Sequence, residues 1–107
     1  SPALNMEAGL MKVRDVEPGM ENISLVVRVV SVSRPRKVLT RYGEVAVASA
    51  VVADETGKIV LNLWRGQVGL VKPGYIVKIE GAFAKEFKGR TELNVGRNGS
   101  ITVLKKS

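Results

Sequence analysis

Val45-Ala-Val-Ala-Ser-Ala-Val-Val-Ala53, then Asp54-Glu-Thr-Gly57, then Lys58-Ile-Val-Leu-Asn-Leu-Trp64, reads as two strands joined by a tight turn. Valine and alanine fill the first run, and Gly57 is expected to supply a positive φ that closes the turn. In the second run Ile59, Leu61 and Leu63 fall on one face of the strand, and Val60, Asn62 and Trp64 on the other. The aliphatic set is the core face. The only tryptophan of the chain therefore sits on the polar face, beside an asparagine. Two readings stand at this point. Trp64 closes an end of the fold where the strand curls, or it offers a flat ring on which a base can stack, an interaction worth ~1–3 kcal/mol per base.

Working outward, Ile23-Ser-Leu-Val-Val-Arg-Val-Val-Ser-Val-Ser33 predicts a long first strand, entered through the turn at Pro18-Gly19. Residues 34–44, Arg-Pro-Arg-Lys-Val-Leu-Thr-Arg-Tyr-Gly-Glu, predict a basic loop. After Trp64, the span 65–71 holds two glycines and allows one or two helical turns at most. Lys72-Pro-Gly74 is a further turn. Tyr75 to Phe83 is the fourth strand, 84–89 a loop, and 90–95 with 101–104 a fifth strand interrupted near Asn98-Gly99. Five strands with one short helical connector between the third and fourth is the layout of an all-β, five-stranded Greek-key OB-fold barrel. An SH3-like barrel is the competing layout, and it usually lacks that connector. Residues 1–10 read as a flexible N-terminus, with Ser1 to Asn5 a cloning remnant or frayed end and Met6 or Met11 the natural start. Residues 11–107 form the single domain.

The composition fits one modest core: 107 residues, of which 45 % are hydrophobic. No apolar run approaches the roughly 18 residues that span a bilayer, and no charged segment followed by an apolar stretch marks a signal peptide. A cytoplasmic, nucleoid-associated protein without a membrane partner is expected. Cysteine and histidine are both absent, so disulfides, thiolate or imidazole metal sites and histidine acid–base chemistry are excluded. The charge is +7 and uneven. Residues 1–22 carry Lys12 and Arg14 against Glu7, Asp15, Glu17 and Glu21, a balance of −2, which leaves +9 on residues 23–107. Such a field attracts polyanions.

Three clusters carry candidate chemistry. Trp64 with Arg65 ends the third strand. Phe83-Ala-Lys-Glu-Phe-Lys-Gly-Arg90 interleaves Phe83 and Phe87 with Lys85, Lys88 and Arg90, which suits phosphates and bases along one channel. Strict alternation puts Phe83 with Val77 and Ile79 on the buried side, whereas a bulge at Gly81 resets the register and exposes it. Between Arg34 and Gly43 the loop holds four cations, Arg34, Arg36, Lys37 and Arg41, with Tyr42, and no acid. Arg28 and Lys78 are candidates to extend that positive surface. Asp54-Glu55 is the only adjacent acidic pair and lies in a turn. Without a third converging carboxylate no metal cluster is expected, and no glycine-rich phosphate motif is present.

Ala53-Asp-Glu-Thr-Gly57 leading to Leu61-Asn-Leu-Trp64, then Lys72-Pro-Gly74, Val77-Lys-Ile-Glu80, Phe87-Lys-Gly89 and Leu93-Asn94, resembles the archaeal single-stranded DNA-binding proteins with a single OB domain. These are relatives of replication protein A and of the human single-OB single-strand-binding proteins. The resemblance runs from about Val13 to Gly96. It implies base stacking on Trp64, Phe83 and Phe87, with Phe83 standing where archaeal relatives have Trp, and so favours an exposed Phe83. The human relatives carry a further aromatic near Asn94, where this chain has a polar residue. The resemblance also implies a role in replication, recombination and repair, and replication or repair proteins as partners.

Sequence-tolerant binding of single-stranded DNA by a monomer is the expectation, with no catalysis and no cofactor. An RNA-binding module and a protein-interaction subunit remain open alternatives at this level.

Overall fold

The computed structural model describes residues 9–107. The first eight residues of the segment expected to be a flexible N-terminus lie outside the described residues. By Met11 the chain is already on the fold, its N–H donating to the Ser24 carbonyl at 2.8 Å.

Six strands form one sheet: β1 (Ile23–Val32), β2 (Arg36–Thr40), β3 (Gly43–Asp54), β4 (Gly57–Trp64), β5 (Ile76–Phe87) and β6 (Arg90–Lys105). Their order is β1-β5-β6-β4-β3-β2, and a further β1–β3 pairing closes the first five into a ring. All pairings are antiparallel except β4–β6, which runs Val60↔Glu92, Leu61↔Leu93, Asn62↔Asn94. Alternation fills the interior. Ile23, Leu25, Val27 and Val29 meet Ala48, Ala50 and Val52, Ile59, Leu61 and Leu63, Val77 and Ile79, and Leu93. Each fully buried aliphatic side chain contributes about 1.5–3 kcal/mol of transfer free energy.

The strand count differs from the expected five. Residues 34–44 are not a loop: β2 and the start of β3 form a hairpin over them, turning at Arg41-Tyr42. Thr40 ties that turn, its Oγ1 donating to the Gly43 carbonyl at 2.8 Å and accepting the Tyr42 N–H at 3.1 Å. Charge density hid a Val38-Leu39-Thr40 run that has ordinary strand propensity, and lysine and arginine are common on exposed edge strands. The β3–β4 ladder ends at Val47↔Trp64, so residues 36–46 project past β4 as an arm paired only with itself.

Two more boundaries moved. The loop expected at 84–89 shrinks to Lys88-Gly89, both at positive φ (51° and 82°), a two-residue hairpin turn matched to strand twist. The connector after β4 is a single 3-10 turn, Arg65–Gln67, entered with Arg65 at φ 55°. Gly66 and Gly69 deny it the propensity to continue.

Gly81 decides where Phe83 points. It has φ +67°, and opposite it the four residues 96–99 of β6 loop out of register, between Glu80↔Ser100 and Ala82↔Val95. A Cβ on Gly99 would come within 2.7 Å of the Glu80 carbonyl oxygen, so only glycine lets the two backbones approach this closely. Val77 and Ile79 face inward before the bulge, and Ala82 and Ala84 after it. Phe83 is thereby turned outward.

At the other end, Asp54 pins the N-terminal turn Val13–Asp15 by accepting the Val13 N–H at 2.9 Å. Partial burial pushes its carboxyl pKa up, but hydrogen bonds from the Thr56 hydroxyl and from the N–H groups of Val13, Thr56 and Gly57 prevail and hold it below the usual value. The adjacent acidic pair is thus turn chemistry.

Candidate nucleic-acid interface

The outward faces of β3, β4, β6 and the end of β5 build one floor. Its rows follow from the register: Val47 beside Trp64, Ser49 beside Asn62 beside Asn94, and Asn94 beside Phe83. Trp64 and Phe83 are half-buried, and Phe87 is 52 % exposed at the hairpin tip. The Phe83 ring lies over Gly96, where a Cβ would meet it at 3.4 Å.

Hydrogen bonds fix this floor. The Trp64 indole Nε1–H donates to Asn94 Oδ1 at 2.9 Å. The Trp64 backbone N–H donates to Gln67 Oε1 at 3.0 Å, and Gln67 Nε2 donates to the Val95 carbonyl at 2.9 Å. The turn after β4 is thereby stapled to β6, and Trp64 is held from both its backbone and its ring. A second chain runs across the strands. Ser49 Oγ donates to Asn62 Oδ1 at 3.4 Å, Asn62 Nδ2 to Glu92 Oε1 at 3.0 Å, and Arg90 Nε to Glu92 Oε2 at 3.1 Å. Glu92 is the one buried charged side chain among the described residues.

Two grooves meet on the floor and share Trp64, Phe83 and Asn94. The larger, about 730 Å³, opens between the arm tip (Thr40, Arg41, Tyr42, Val45) and Arg65, Gln67, Gly96 and Arg97. Three arginines line it and no carboxylate does. The smaller, about 280 Å³, runs toward the β5–β6 tip between Asn62, Lys85, Glu86, Phe87 and Glu92. Each cation near a ring sits over it: Arg41 5.9 Å from the Tyr42 centroid, Lys85 5.6 Å from Phe83, and Lys88 5.4 Å from Phe87.

The structure thus gathers Trp64, Phe83, Phe87, Arg41, Arg65, Lys85, Lys88 and Asn94 on one face. The pleat sends Arg36 to the same side as Val47 and Trp64, and Lys37, opposite Ala46, to the other side. Arg34 is exposed ahead of β2 and lines neither groove. Arg90 is held by Glu92. Arg28 lies in a separate hollow with Asp54 and Glu55, away from the rings. Arg97, Gln67 and Glu92 were not anticipated. Gln67 follows Trp64 in the turn after β4, Glu92 is brought in by β6 between β4 and β5, and Arg97 by the 96–99 bulge, of which the interruption near Asn98-Gly99 was the one sequence sign.

Among the described residues no group of three or more Asp or Glu is placed to hold a metal ion. Among them, too, no helix is long and apolar enough to cross a membrane.

Residues 16–103 match the family model for single-stranded DNA binding protein Ssb-like, OB fold. The chain belongs to this Ssb-like OB-fold family. It is 40 % identical over 90 residues to the single-stranded DNA binding protein Ssb of Saccharolobus solfataricus, covering 84 % of this chain and 61 % of that protein. It is 34 % identical over 95 residues to replication factor A of Methanothermobacter thermautotrophicus, covering 86 % of this chain but 12 % of that protein. The chain therefore spans about three fifths of the first relative and one segment of the second. Among solved structures, an OB domain from Thermoplasma acidophilum superposes with TM-score 0.79 at 20 % identity, covering 92 % of this chain and 89 % of that one. A replication factor A related protein from Methanobacterium thermoautotrophicum superposes with TM-score 0.75 at 27 % identity, covering 89 % and 90 %. The five-stranded ring with its projecting arm is thus an OB fold.

Proposed function

We propose that this Ssb-like chain binds single-stranded DNA with little regard to sequence, along the floor between the arm and the β5–β6 tip. One observation carries the reading. Trp64 is held by its indole and its backbone, half-open, at the junction of two grooves, the larger of which is lined by three arginines and no carboxylate. Stacking on Trp64, Phe83 and Phe87 supplies ~1–3 kcal/mol per base. Arg41, Arg65, Arg97, Lys85 and Lys88 supply phosphate contacts, each lowering the slope of log K against log salt by about 0.7. The site takes roughly 4–6 nucleotides, within the range of one OB domain. Binding of this kind shields exposed strands during replication, recombination and repair, and it requires no catalytic group.

Trp64 makes the test direct, because every change in tryptophan emission reports on one ring. Titration with oligo-dT at low salt is expected to change that emission in a saturable way. Flat emission, with a labelled oligonucleotide showing no binding, would overturn the proposal. A tenfold or greater preference for matched oligo-U over oligo-dT would turn the reading to RNA.

A further inference from the structure

Leu39 and Tyr42 are the two large apolar side chains that the arm leaves in water, and neither packs against the core. Single exposed apolar residues are ordinary on a protein surface. The pleat accounts for Leu39: it pairs with Glu44, on the side of the arm that Lys37 shares and that faces away from the floor. Tyr42 is different. It sits in the turn and lines the larger groove, on the arm's side, together with Trp64 and Phe83. The turn fixes its backbone. Its N–H donates to Thr40 Oγ1 at 3.1 Å, and the next residue, Gly43, takes φ 103°. The side chain has no such anchor. Its phenol makes no hydrogen bond among the described residues, and the Arg41 guanidinium lies over its ring at 5.9 Å.

Tyr42 therefore adds nothing to the core, and its place in the groove needs another account. A nucleobase has two faces. Trp64 and Phe83 belong to the floor, so a base resting on either leaves its other face to water. A ring on the arm's wall can cover that face, and stacking of this kind does not depend on which base is bound. Tyrosine suits the place, because it brings a flat apolar surface, a polar tip and few rotatable bonds to freeze. Arg41 travels with it and can meet a phosphate beside the covered base. The arm is paired only with itself, so a small swing brings the ring onto a bound strand at little cost.

We infer that Tyr42 is a further DNA-binding ring, which closes from the arm onto the open face of a base held by Trp64 or Phe83. The inference rests on the DNA-binding reading of the groove and adds a moving wall to it. Trp64 is fixed before the strand arrives, whereas Tyr42 is placed by the strand. Its contribution therefore lies in slowing release and not in speeding capture.

The test compares variants of the whole chain by the affinity and dissociation rate of labelled oligo-dT. Tyr42→Ala is expected to weaken binding about fivefold or more, the lower end of one stacked base, almost all of it as faster dissociation. Tyr42→Phe keeps the ring and is expected to bind as the natural chain does. Tyr42→Leu keeps bulk without a ring face and is expected to resemble Tyr42→Ala. Leu39→Ala removes equally exposed apolar surface from the other side of the arm and is expected to change nothing. The log K–log salt slope of Tyr42→Ala should match that of the natural chain; a flattened slope would trace the loss to Arg41 and overturn the inference. A second readout is direct. Trp64→Phe combined with Tyr42→Trp moves the one tryptophan to the arm tip, where oligo-dT is expected to change its emission. A Tyr42→Ala chain that binds as tightly as Leu39→Ala, or emission from position 42 that stays flat while labelled DNA binds, would overturn the inference and leave DNA binding standing. A natural chain that binds no oligo-dT would overturn the DNA-binding reading, and the part given to Tyr42 with it.

Discussion

The arm and the β5–β6 tip flank the same floor but are built on opposite terms. The arm, residues 36–46, hydrogen-bonds only with itself and exposes Leu39 and Tyr42, each at 79 %. The β5–β6 tip is backed by β4, with Leu93 fully buried and Glu92 anchored to Asn62. The arm side offers Arg41, Arg65 and Arg97 with no acid, whereas the tip side offers Lys85 beside Glu86 and Glu92. One flank supplies field and the other supplies shape. Binding that tolerates any sequence needs both, since the field gathers a polyanion and fixed rings hold its bases.

The largest expected contrast is in local stability. A self-paired hairpin is marginal in water, so the arm should open with a free energy near zero, while amides around Leu61 and Leu93 approach the global value of roughly 5–15 kcal/mol. Native-state hydrogen exchange checks this. Equal protection on both flanks would erase the distinction between them.

Next in size are the shared rings. Trp64→Ala with Phe83→Ala is expected to weaken oligo-dT binding by about 2–6 kcal/mol, two stacked bases' worth, because both grooves lose their common wall. Titration with labelled DNA measures it, and the far-ultraviolet spectrum should be unchanged because neither ring is in the core. A loss below 1 kcal/mol would mean that the bases do not rest here.

How far these parts could be read in advance follows from how local their causes are. The outward face of Trp64 was legible because Ile59, Leu61 and Leu63 alternate without interruption through β4. Phe83 was ambiguous because its side depends on Gly81, and alternation cannot by itself reveal a bulge formed against residues 96–99. The strand at 36–40 was hidden by its own cations. Glu92 enters the site beside Lys85 across the β5–β6 hairpin and beside Asn62 of β4, 30 residues away in sequence, and Arg97 enters through the bulge at 96–99; no pattern along a single strand encodes those meetings. Trp64 was therefore within reach of the sequence pattern, Phe83 only as one of two alternatives, and the charge asymmetry between the flanks was not.

A third prediction separates the flanks by salt. Changing Arg41, Arg65 and Arg97 together to Gln is expected to flatten the log K–log salt slope by about 2, three contacts at about 0.7 each. The same count of changes at Lys85, Lys88 and Arg90 should flatten it less, because Arg90 already has a carboxylate partner. Equal flattening would show that the field is shared evenly.

The smallest expected effect bears on that partner. Arg90 Nε lies 3.1 Å from Glu92 Oε2, with the arginine side chain 65 % exposed and the glutamate 9 %. A phosphate arriving here must compete with a carboxylate fixed from below by Asn62, so Arg90→Gln is expected to change the salt slope by less than the roughly 0.7 of a full contact. Glu92→Gln reverses the situation. Its amide oxygen still accepts from Asn62, so the floor is kept, while the charge that held Arg90 is gone. The freed guanidinium becomes available to phosphate, and the slope should steepen by about 0.7 with a modest gain in affinity at low salt. Salt titrations of the two variants decide it. A Glu92→Gln chain that binds less tightly than the natural one would mean that this carboxylate serves the bound strand and does not restrain Arg90, and the tip flank would then be a place where bases are read.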